Sequence, residues 1–325
     1  MKKIWKYGLL MAGVLAAAVA VNQLTREPGE GIFYRVTGGK NEMYLLGSIH
    51  VGSREMYPMS QSIRNALKNA DVLVFECDTA SPETAAATAE LMKSEKALSS
   101  LVSGECYGQL EKAAQKLGYE MSAFDAMKPW AVTSTLTVAA AAQQMDAGSS
   151  RTASALGVEN MVRRQADGKT IEYLETVQEQ LQLMERFSPA LQEYLLLSAC
   201  QAVLHPDKVS GTDRDIEQWP LWWKEGNARA FADSYIQGLR EETSPELAEE
   251  YHQALMTTRN QQMAQKLKSM LENDEPHSYL VTVGLMHLVL PQDSIIAQLQ
   301  SMGYGVEQIV SSVFAPSQGV DILCQ

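Results

Sequence analysis

Two short apolar runs, far apart in the chain, share one pattern of hydrophobic and polar positions. Residues 44–46 lead into a glycine that is followed three positions later by His50, and residues 279–283 lead in the same way to His287. A continuous apolar run of this length is typical of a strand buried on both faces, and the residues after the run lie at the strand's carboxyl end. The repeated Gly-x-x-His motif therefore predicts two strands that each place a histidine at a sheet edge.

The rest of the chain alternates apolar runs of strand length with longer helical patterns. Further strands are predicted at 31–36, 71–76, 169–174 and 306–313. Helices are predicted at 61–69, 82–98, 105–117, 129–144, 157–166, 177–187, 189–204, 213–225, 245–272 and 292–302. Ser60 has the character of an N-cap and Pro129 suits a first helical turn. The order of elements predicts an α/β fold, with a central mixed sheet covered by helices and both Gly-x-x-His strand ends meeting at one cleft.

Acidic side chains stand at the ends of two other predicted strands. Glu76 closes the strand at 71–76, and Glu175 follows the strand at 169–174. Because strand–helix–strand crossovers are right-handed and join parallel strands, Glu76 should emerge at the same sheet edge as His50. Glu175 is expected at a strand end of the same kind.

Imidazoles combined with carboxylates suit borderline divalent metals such as manganese, cobalt or zinc. His50, His287 and Glu76 are therefore the candidate metal ligands. A second acid, Glu175 or Glu159, would hold a bound water or accept its proton.

Each of these residues also has a plain structural interpretation. An acid just after a strand often caps the next helix or lies in its first turn, which applies to Glu76, Glu175 and Glu159. An arginine on a helix face, such as Arg259, is usually solvated or paired with an acid. The remaining histidines lack any strand-end context and are expected at the surface or in turns: His205, His252 and His277.

Composition limits the classes of partner. The 325 residues are 46% hydrophobic and 20% charged, with a formal net charge of -12, and no cluster of Lys and Arg offsets this charge after the leader. A chain with this charge repels phosphate backbones, so nucleic acid is excluded as a partner.

The first residues have the pattern of an export segment. Lys2, Lys3 and Lys6 precede an apolar stretch at 7–21. A charged start followed by an apolar stretch of this length is typical of a secretory signal, although the same stretch could persist as a short membrane anchor. Residues 1–28 are therefore interpreted as a signal peptide or N-terminal anchor, and the working domain is placed outside the cytoplasm.

The four cysteines have no CxxC spacing and do not suggest a zinc ribbon. In an oxidising compartment one or two disulfides are possible, and buried free thiols are the alternative. The positions concerned are Cys77, Cys106, Cys200 and Cys324.

Six separated motifs occur in the order found in one known family. They are residues 46–52 with His50, 74–76 with Glu76, 157–159 with Glu159, 174–180 with Glu175, Arg259 and Asn260 with Met263, and 283–288 with His287. On these motifs the chain resembles the TraB/PrgY/GumN family, whose animal relatives include the Tiki proteases. Position 159 is Glu where relatives often have Asp, so its side chain reaches further.

The resemblance implies a fold related to erythromycin-esterase-like and ChaN-like proteins, formed by residues 29–325 with helical insertions at about 81–156 and 188–272. It also implies that both histidines share one site and, for the Tiki branch, a peptidase that uses manganese or cobalt. Arg259 and Asn260 would then orient a substrate carboxylate or stabilise oxyanion charge.

The sequence thus favours an exported metal-dependent hydrolase that acts on a peptide or protein substrate. The alternative is a non-catalytic protein that binds a peptide, haem or iron in the same cleft, because PrgY-type members are linked with peptide pheromones and ChaN-like relatives with iron and haem. Both hypotheses require the same histidines, so the sequence leaves them open.

Overall fold

A six-stranded mixed sheet in the order β4-β3-β5-β2-β1-β6 forms the centre of the fold. The computed structural model describes residues 27–50, 52–78, 81–144, 154–166, 168–208, 215–241 and 244–310. The strands are β1 (Ile32–Thr37), β2 (Glu42–Ser48), β3 (Val72–Phe75), β4 (Thr170–Tyr173), β5 (Ser278–Gly284) and β6 (Gly305–Gln308). Strands β4, β3, β5 and β2 run parallel, whereas β1 is antiparallel to both of its neighbours. The predicted α/β fold with a central mixed sheet is confirmed.

Helices cover this sheet. They are α1 (Gln61–Asn69), α2 (Pro82–Leu91), α3 (Gly104–Leu117), α4 (Pro129–Gln144), α5 (Val158–Arg163), α6 (Val177–Glu185), α7 (Pro189–Leu204), α8 (Trp219–Glu225), α9 (Ala228–Glu241), α10 (Pro245–His252), α11 (Thr258–Leu271), α12 (Met286–Val289) and α13 (Ile295–Ser301). A single π-helical turn, Gln253–Thr257, joins α10 to α11. Along the described ranges, no helix is both long and apolar enough to cross a membrane.

Serine side chains begin many of these helices. The Ser60 hydroxyl accepts the hydrogen bond of the Ile63 backbone N–H, which confirms Ser60 as an N-cap. This arrangement satisfies one of the backbone donors left without an intrahelical partner at a helix start. The same contact is made by the hydroxyls of Ser81, Ser103, Ser188, Ser244 and Ser294.

Two predicted helices differ from the structure, and one further helix was not predicted. The helix predicted at 82–98 ends at Leu91, because the Ser94 N–H donates to the Ala126 carbonyl and draws the chain away from the helix. Helix α9 was not predicted, since its buried face carries only two large apolar side chains among small residues. The helix predicted at 245–272 is interrupted by the π turn. Positions 311–313 of the last predicted strand lie outside the described residues, as do residues 1–26 of the predicted leader.

The buried residues form two hydrophobic clusters. The larger one surrounds the sheet and includes the fully buried Phe33, Leu45 and Leu73. The smaller one lies between helices α3, α4 and α7, with Leu110 and Leu196 at its centre. The carboxyl edge of the parallel strands belongs to the larger cluster, so the candidate site rests on the main core.

The described cysteines are buried free thiols rather than disulfides. Burial raises the pKa of Cys77 and Cys200 to about 12 and that of Cys106 to about 11. Cys324 lies outside the described residues. For the three cysteines that the structure describes, the free-thiol alternative holds.

We expect these three thiols to resist modification in the folded protein. The thiolate is the reactive form, and burial both disfavours it and blocks access. In a Cys324→Ser variant at pH 8, a chromogenic disulfide reagent should label no thiol within minutes, and all three after denaturation in guanidinium. Recovery of fewer than three thiols from the denatured, unreduced protein would show a disulfide and contradict the structure.

Candidate functional site

Four neighbouring parallel strands each bring one predicted residue to the carboxyl edge of the sheet. His50 follows β2, Glu76 follows β3, Glu175 follows β4 and His287 follows β5. Strands β2 and β5 are direct neighbours, as are β5 with β3 and β3 with β4. Residues from both ends of the chain therefore meet at one edge.

Glu76 is the residue most surrounded by others of the site. Its Oε1 accepts the hydrogen bond of the Gly284 backbone N–H and lies 3.8 Å from His287 Nε2. Its Oε2 lies 3.0 Å from Arg259 Nη2 and 3.3 Å from Gln180 Nε2. Only 15% of the side chain is exposed. Glu76 thus lies between an imidazole and a guanidinium.

Arg259 binds two carboxylates at once. Its Nη2 donates to Glu76 and, at 2.8 Å, to Glu175 Oε2, while its Nε lies 3.1 Å from Glu175 Oε1. The remaining nitrogen, Nη1, donates to the Leu255 carbonyl at 3.3 Å. Gln180 Nε2 bridges the same two acids at 3.3 and 2.9 Å. All three guanidinium nitrogens are therefore engaged within the protein.

The electrostatics of this cluster set the charge of its members. Burial alone would raise the pKa of Glu76, but His287, Arg259 and the Gly284 N–H outweigh burial and lower it to about 2. Burial also opposes the charge of Arg259, yet its hydrogen bonds and ion pairs to Glu175 and Glu76 raise its pKa. Burial lowers the pKa of His287 to about 4. At neutral pH the cluster thus contains an ionised Glu76, a protonated Arg259 and a neutral His287.

The orientation of His287 is set by Asn260, which is fully buried. Asn260 Nδ2 donates to the Asp293 carbonyl, so its Oδ1 faces His287 Nδ1 at 2.6 Å. An amide oxygen only accepts hydrogen bonds, so the Nδ1 of a neutral His287 must carry the proton. The lone pair of the ring is then on Nε2, the nitrogen that faces Glu76.

His50 is held by its backbone while its side chain is exposed. The Val158 N–H donates to the Ile49 carbonyl at 3.1 Å. A Cβ on Gly157 would lie 2.5 Å from the His50 carbonyl oxygen, so only glycine allows this approach. The imidazole is close enough to act electrostatically on Glu76 and His287.

The glycines of the two Gly-x-x-His motifs also mark close contacts. A Cβ on Gly47 would lie 2.9 Å from the Cβ of Leu285, which belongs to the second motif. A Cβ on Gly284 would lie 3.0 Å from Glu76 Oε1 and 3.4 Å from His287 Cδ2. The motif therefore needs glycine so that the two strand ends and Glu76 can pack together.

Glu159 lies in the first turn of α5 and pairs with Arg163 at 2.9 Å. Arg163 in turn donates to the Cys77 carbonyl at 2.9 Å and stacks over the Phe75 ring. The Glu159 carboxylate thus pairs with Arg163, which contacts the residues at the end of β3. No contact between Glu159 and His50, Glu76 or His287 is seen in the described structure.

The donor atoms fit a metal ion in part. His287 Nε2 and Glu76 Oε1 face each other, one with a lone pair and the other with negative charge. Thr282 lies two residues before Gly284, on the same face of β5. Its buried hydroxyl has no hydrogen-bond partner among the described residues. A buried polar atom without a partner is costly, which favours a polar occupant nearby. Within the described ranges, however, no group of three or more His, Cys, Asp or Glu side chains converges as a metal site.

Some residues at this edge were not found by sequence reasoning. His252 was expected at the surface or in a turn, and this is wrong, because only 17% of its side chain is exposed and it contacts Tyr235 and Asp293. Gln180 bridges the two acids, although no role was predicted for it. No local pattern marks either residue, because their partners come from distant segments.

Comparison with known proteins assigns the chain to a family. The model of the TraB/PrgY/gumN family matches residues 32–308, so the chain belongs to this family. It is similar to the uncharacterized protein YbaP of Escherichia coli (strain K12), with 25% identity over 254 residues, which cover 77% of this chain and 85% of the relative. The uncharacterized protein YbaP of Shigella flexneri matches with the same identity and coverage. No solved structure matches this chain.

We expect an Arg259→Met substitution to destabilise the protein by about 3–5 kcal/mol, because it leaves two buried carboxylates without a counter-charge. Adding Glu175→Gln should recover part of this loss. Urea unfolding followed by circular dichroism measures both effects. In the control Arg229→Met, the broken ion pair to Asp233 is largely exposed, so the change should be far smaller. Equal losses for Arg259→Met and Arg229→Met would contradict the described cluster.

We expect Gly157→Ala to destabilise the fold, because the added Cβ meets the His50 carbonyl oxygen at 2.5 Å and backbone atoms cannot move aside cheaply. Gly108→Ala is the matched control. It lies inside α3 with nothing within 4 Å of the new Cβ, so it should stabilise the protein by about 1 kcal/mol or less. Thermal unfolding of both variants tests the opposite signs. A Gly157→Ala protein as stable as the wild type would disprove the close approach.

Proposed function

We propose that the cleft at the strand ends binds a divalent metal ion and that the chain is a metal-dependent hydrolase with peptide substrates. The observation that carries the proposal is the pair of donor atoms His287 Nε2 and Glu76 Oε1, which face each other at 3.8 Å. The Asn260 contact supports it, because ligating histidines usually donate their other ring N–H to a fixed acceptor. The peptide class rests on the resemblance to the Tiki proteases.

The proposed ligands are His287, Glu76 and His50. His287 offers a neutral nitrogen, and Glu76 offers an ionised carboxylate. His50 lies at the same edge with an exposed side chain that has no hydrogen-bond partner among the residues described, so it can turn toward the other two. Manganese, cobalt and zinc all accept this combination of nitrogen and oxygen ligands.

Arg259 and Asn260 take different roles from those suggested by the sequence. All three nitrogens of Arg259 are engaged, so we assign it to holding Glu76 and Glu175 rather than to binding a substrate carboxylate. We assign Asn260 to orienting His287, since it is fully buried and its amide is occupied on both sides. Both side chains are thus held in place by contacts within the protein.

The remaining acids fall into two groups. Glu175 lies beside Glu76 and shares Arg259 and Gln180 with it, so it keeps the Glu76 carboxylate in place. Glu159 is paired with Arg163, and its proposed role is to hold Arg163 against the end of β3. A bound divalent ion would lower the pKa of its water from 15.7 to about 7 and supply hydroxide at neutral pH.

The exported location is part of the same proposal. The charged and apolar leader supports secretion or a membrane tether, which would place the cleft outside the cytoplasm. A peptide or protein in that compartment would be the substrate.

We expect the full chain to retain about one ion after incubation with manganese, cobalt or zinc and desalting, as measured by plasma mass spectrometry. His287→Ala and Glu76→Gln should each abolish retention, because each removes one of the facing donor atoms. His277→Ala is the control, since His277, just before β5, contacts Glu275 and the Tyr279 ring rather than any residue of the site. Retention by the His287→Ala variant would refute the proposed site.

The same proteins distinguish catalysis from binding. Metal-dependent cleavage of a peptide library by the wild type, lost in His287→Ala, is the expected result. Stoichiometric capture of peptide without product, or a haem absorption band that depends on His50, would favour the non-catalytic alternative and overturn the hydrolase proposal.

A further inference from the structure

A series of hydrogen bonds, which passes through the side chain and the main chain of Asp293, links a buried tyrosine to the histidine of the second Gly-x-x-His motif. The Tyr235 hydroxyl lies 3.2 Å from His252 Nδ1, and His252 Nε2 lies 3.3 Å from Asp293 Oδ2. The main-chain carbonyl of Asp293 accepts the Asn260 Nδ2–H, and Asn260 Oδ1 lies 2.6 Å from His287 Nδ1. Residues from α9, α10, the segment before α13, α11 and α12 are therefore linked in one chain of contacts.

The donor and acceptor types determine which atom donates in each of these hydrogen bonds. The Asp293 carbonyl can only accept, so Asn260 must present its amide hydrogens to Asp293 and its oxygen to His287. With the opposite orientation of the Asn260 amide, its NH₂ group would face His287 Nδ1. The proton of a neutral His287 would then move to Nε2, and the lone pair would be lost from the site. The position of the Asp293 carbonyl thus selects the His287 tautomer.

His252 is the side chain that anchors the segment carrying this carbonyl. The Asp293 carboxyl oxygen Oδ2 accepts from His252 Nε2–H, which leaves Nδ1 to accept from the Tyr235 hydroxyl. A hydroxyl, an imidazole and a carboxylate in this order also occur in nucleophilic active sites. Here the Tyr235 side chain is buried, with 3% exposure, and burial raises its pKa, so it cannot meet a substrate. The arrangement suits a positioning role instead.

The π turn explains how two residues of one helical segment, His252 and Asn260, can both contact Asp293. His252 precedes the turn and Asn260 follows it, eight positions later, and both contact Asp293. In an uninterrupted α-helix, eight residues rotate by about 800°, which leaves the two side chains about 80° apart. A π turn accommodates one extra residue, so the spacing acts like seven residues and the difference falls to about 20°. The turn therefore aligns His252 and Asn260 on one face.

We propose that His252 is a positioning residue: through Asp293 and Asn260 it keeps His287 in the tautomer whose Nε2 faces Glu76. The effect on metal binding rests on the function proposed above, whereas the tautomer itself does not. His252 touches neither Glu76 nor His287 in the described structure and acts only through its neighbours.

The tautomer can be read in the metal-free full chain by two-dimensional NMR that correlates ring nitrogens with ring protons. In the wild type at pH 7, His287 should carry its proton on Nδ1. In His252→Phe, which cannot donate to Asp293, we expect the Nε2–H form to become populated and the dissociation constant for zinc to rise about 10- to 100-fold. His252→Gln should restore both readouts, since an amide can donate to Asp293 and accept from Tyr235.

His277→Phe is the control, because this surface histidine has no link to the chain of contacts. A His252→Phe protein that loses stability but keeps the wild-type tautomer and zinc affinity would overturn the proposal. So would a wild type with the proton on His287 Nε2. If His252→Phe does not fold, Asp293→Ala removes the same anchor and keeps the main-chain carbonyl. An unchanged His287 tautomer in that variant would also refute the role of His252.

The two proposals fail in different ways. A wild type that shows the expected tautomer, lost in His252→Phe, but binds no zinc would leave the role of His252 standing and refute the metal site. Zinc binding with equal affinity in the wild type and His252→Phe, together with an unchanged His287 tautomer, would leave the metal site standing and refute the role of His252.

Discussion

A buried guanidinium joins two strand ends at the carboxyl edge of the sheet. Arg259 reaches from α11 to Glu76 and Glu175, which stand at the ends of the neighbouring strands β3 and β4. Two carboxylates this close in a buried place would not both stay ionised without a cation between them. The ionised Glu76 carboxylate thus lies between the Arg259 guanidinium and the neutral imidazole of His287.

Close backbone packing is the second requirement of this edge. Gly47 admits Leu285, Gly284 admits the Glu76 carboxylate, and Gly157 admits the His50 carbonyl. A Cβ at Gly47 or Gly157 would come closer than real Cβ atoms do, and one at Gly284 would meet Glu76 at a tight 3.0 Å, so glycine allows the loops after β2 and β5 to approach one another. The buried Trp223 supports the same region by donating its indole N–H to the Gly47 carbonyl at 2.8 Å. Backbone contacts therefore fix where the two histidine-bearing loops lie, and the Asn260 side chain sets the orientation of the His287 ring.

Family membership and architecture describe the same unit. The match to the TraB/PrgY/gumN family begins at the first residue of β1 and ends at the last residue of β6. It thus contains the whole sheet and every residue of the candidate site, as well as the π turn that aligns His252 with Asn260. The relatives that share most of this length, the YbaP proteins, are themselves uncharacterized. The candidate site is therefore part of the segment that defines the family, and not a local addition to it.

The sequence alone determined the strands, most helices and the sheet edge at which His50, Glu76, Glu175 and His287 meet. Hydrophobic periodicity is local, and parallel strands with right-handed crossovers bring their carboxyl ends together, so these features follow from the pattern. Only the tertiary structure decided the partners of each side chain. Arg259 and Glu76 are 183 positions apart, and His252 and Asp293 are 41 apart. Such contacts depend on side-chain directions within about 3.5 Å, which periodicity does not encode.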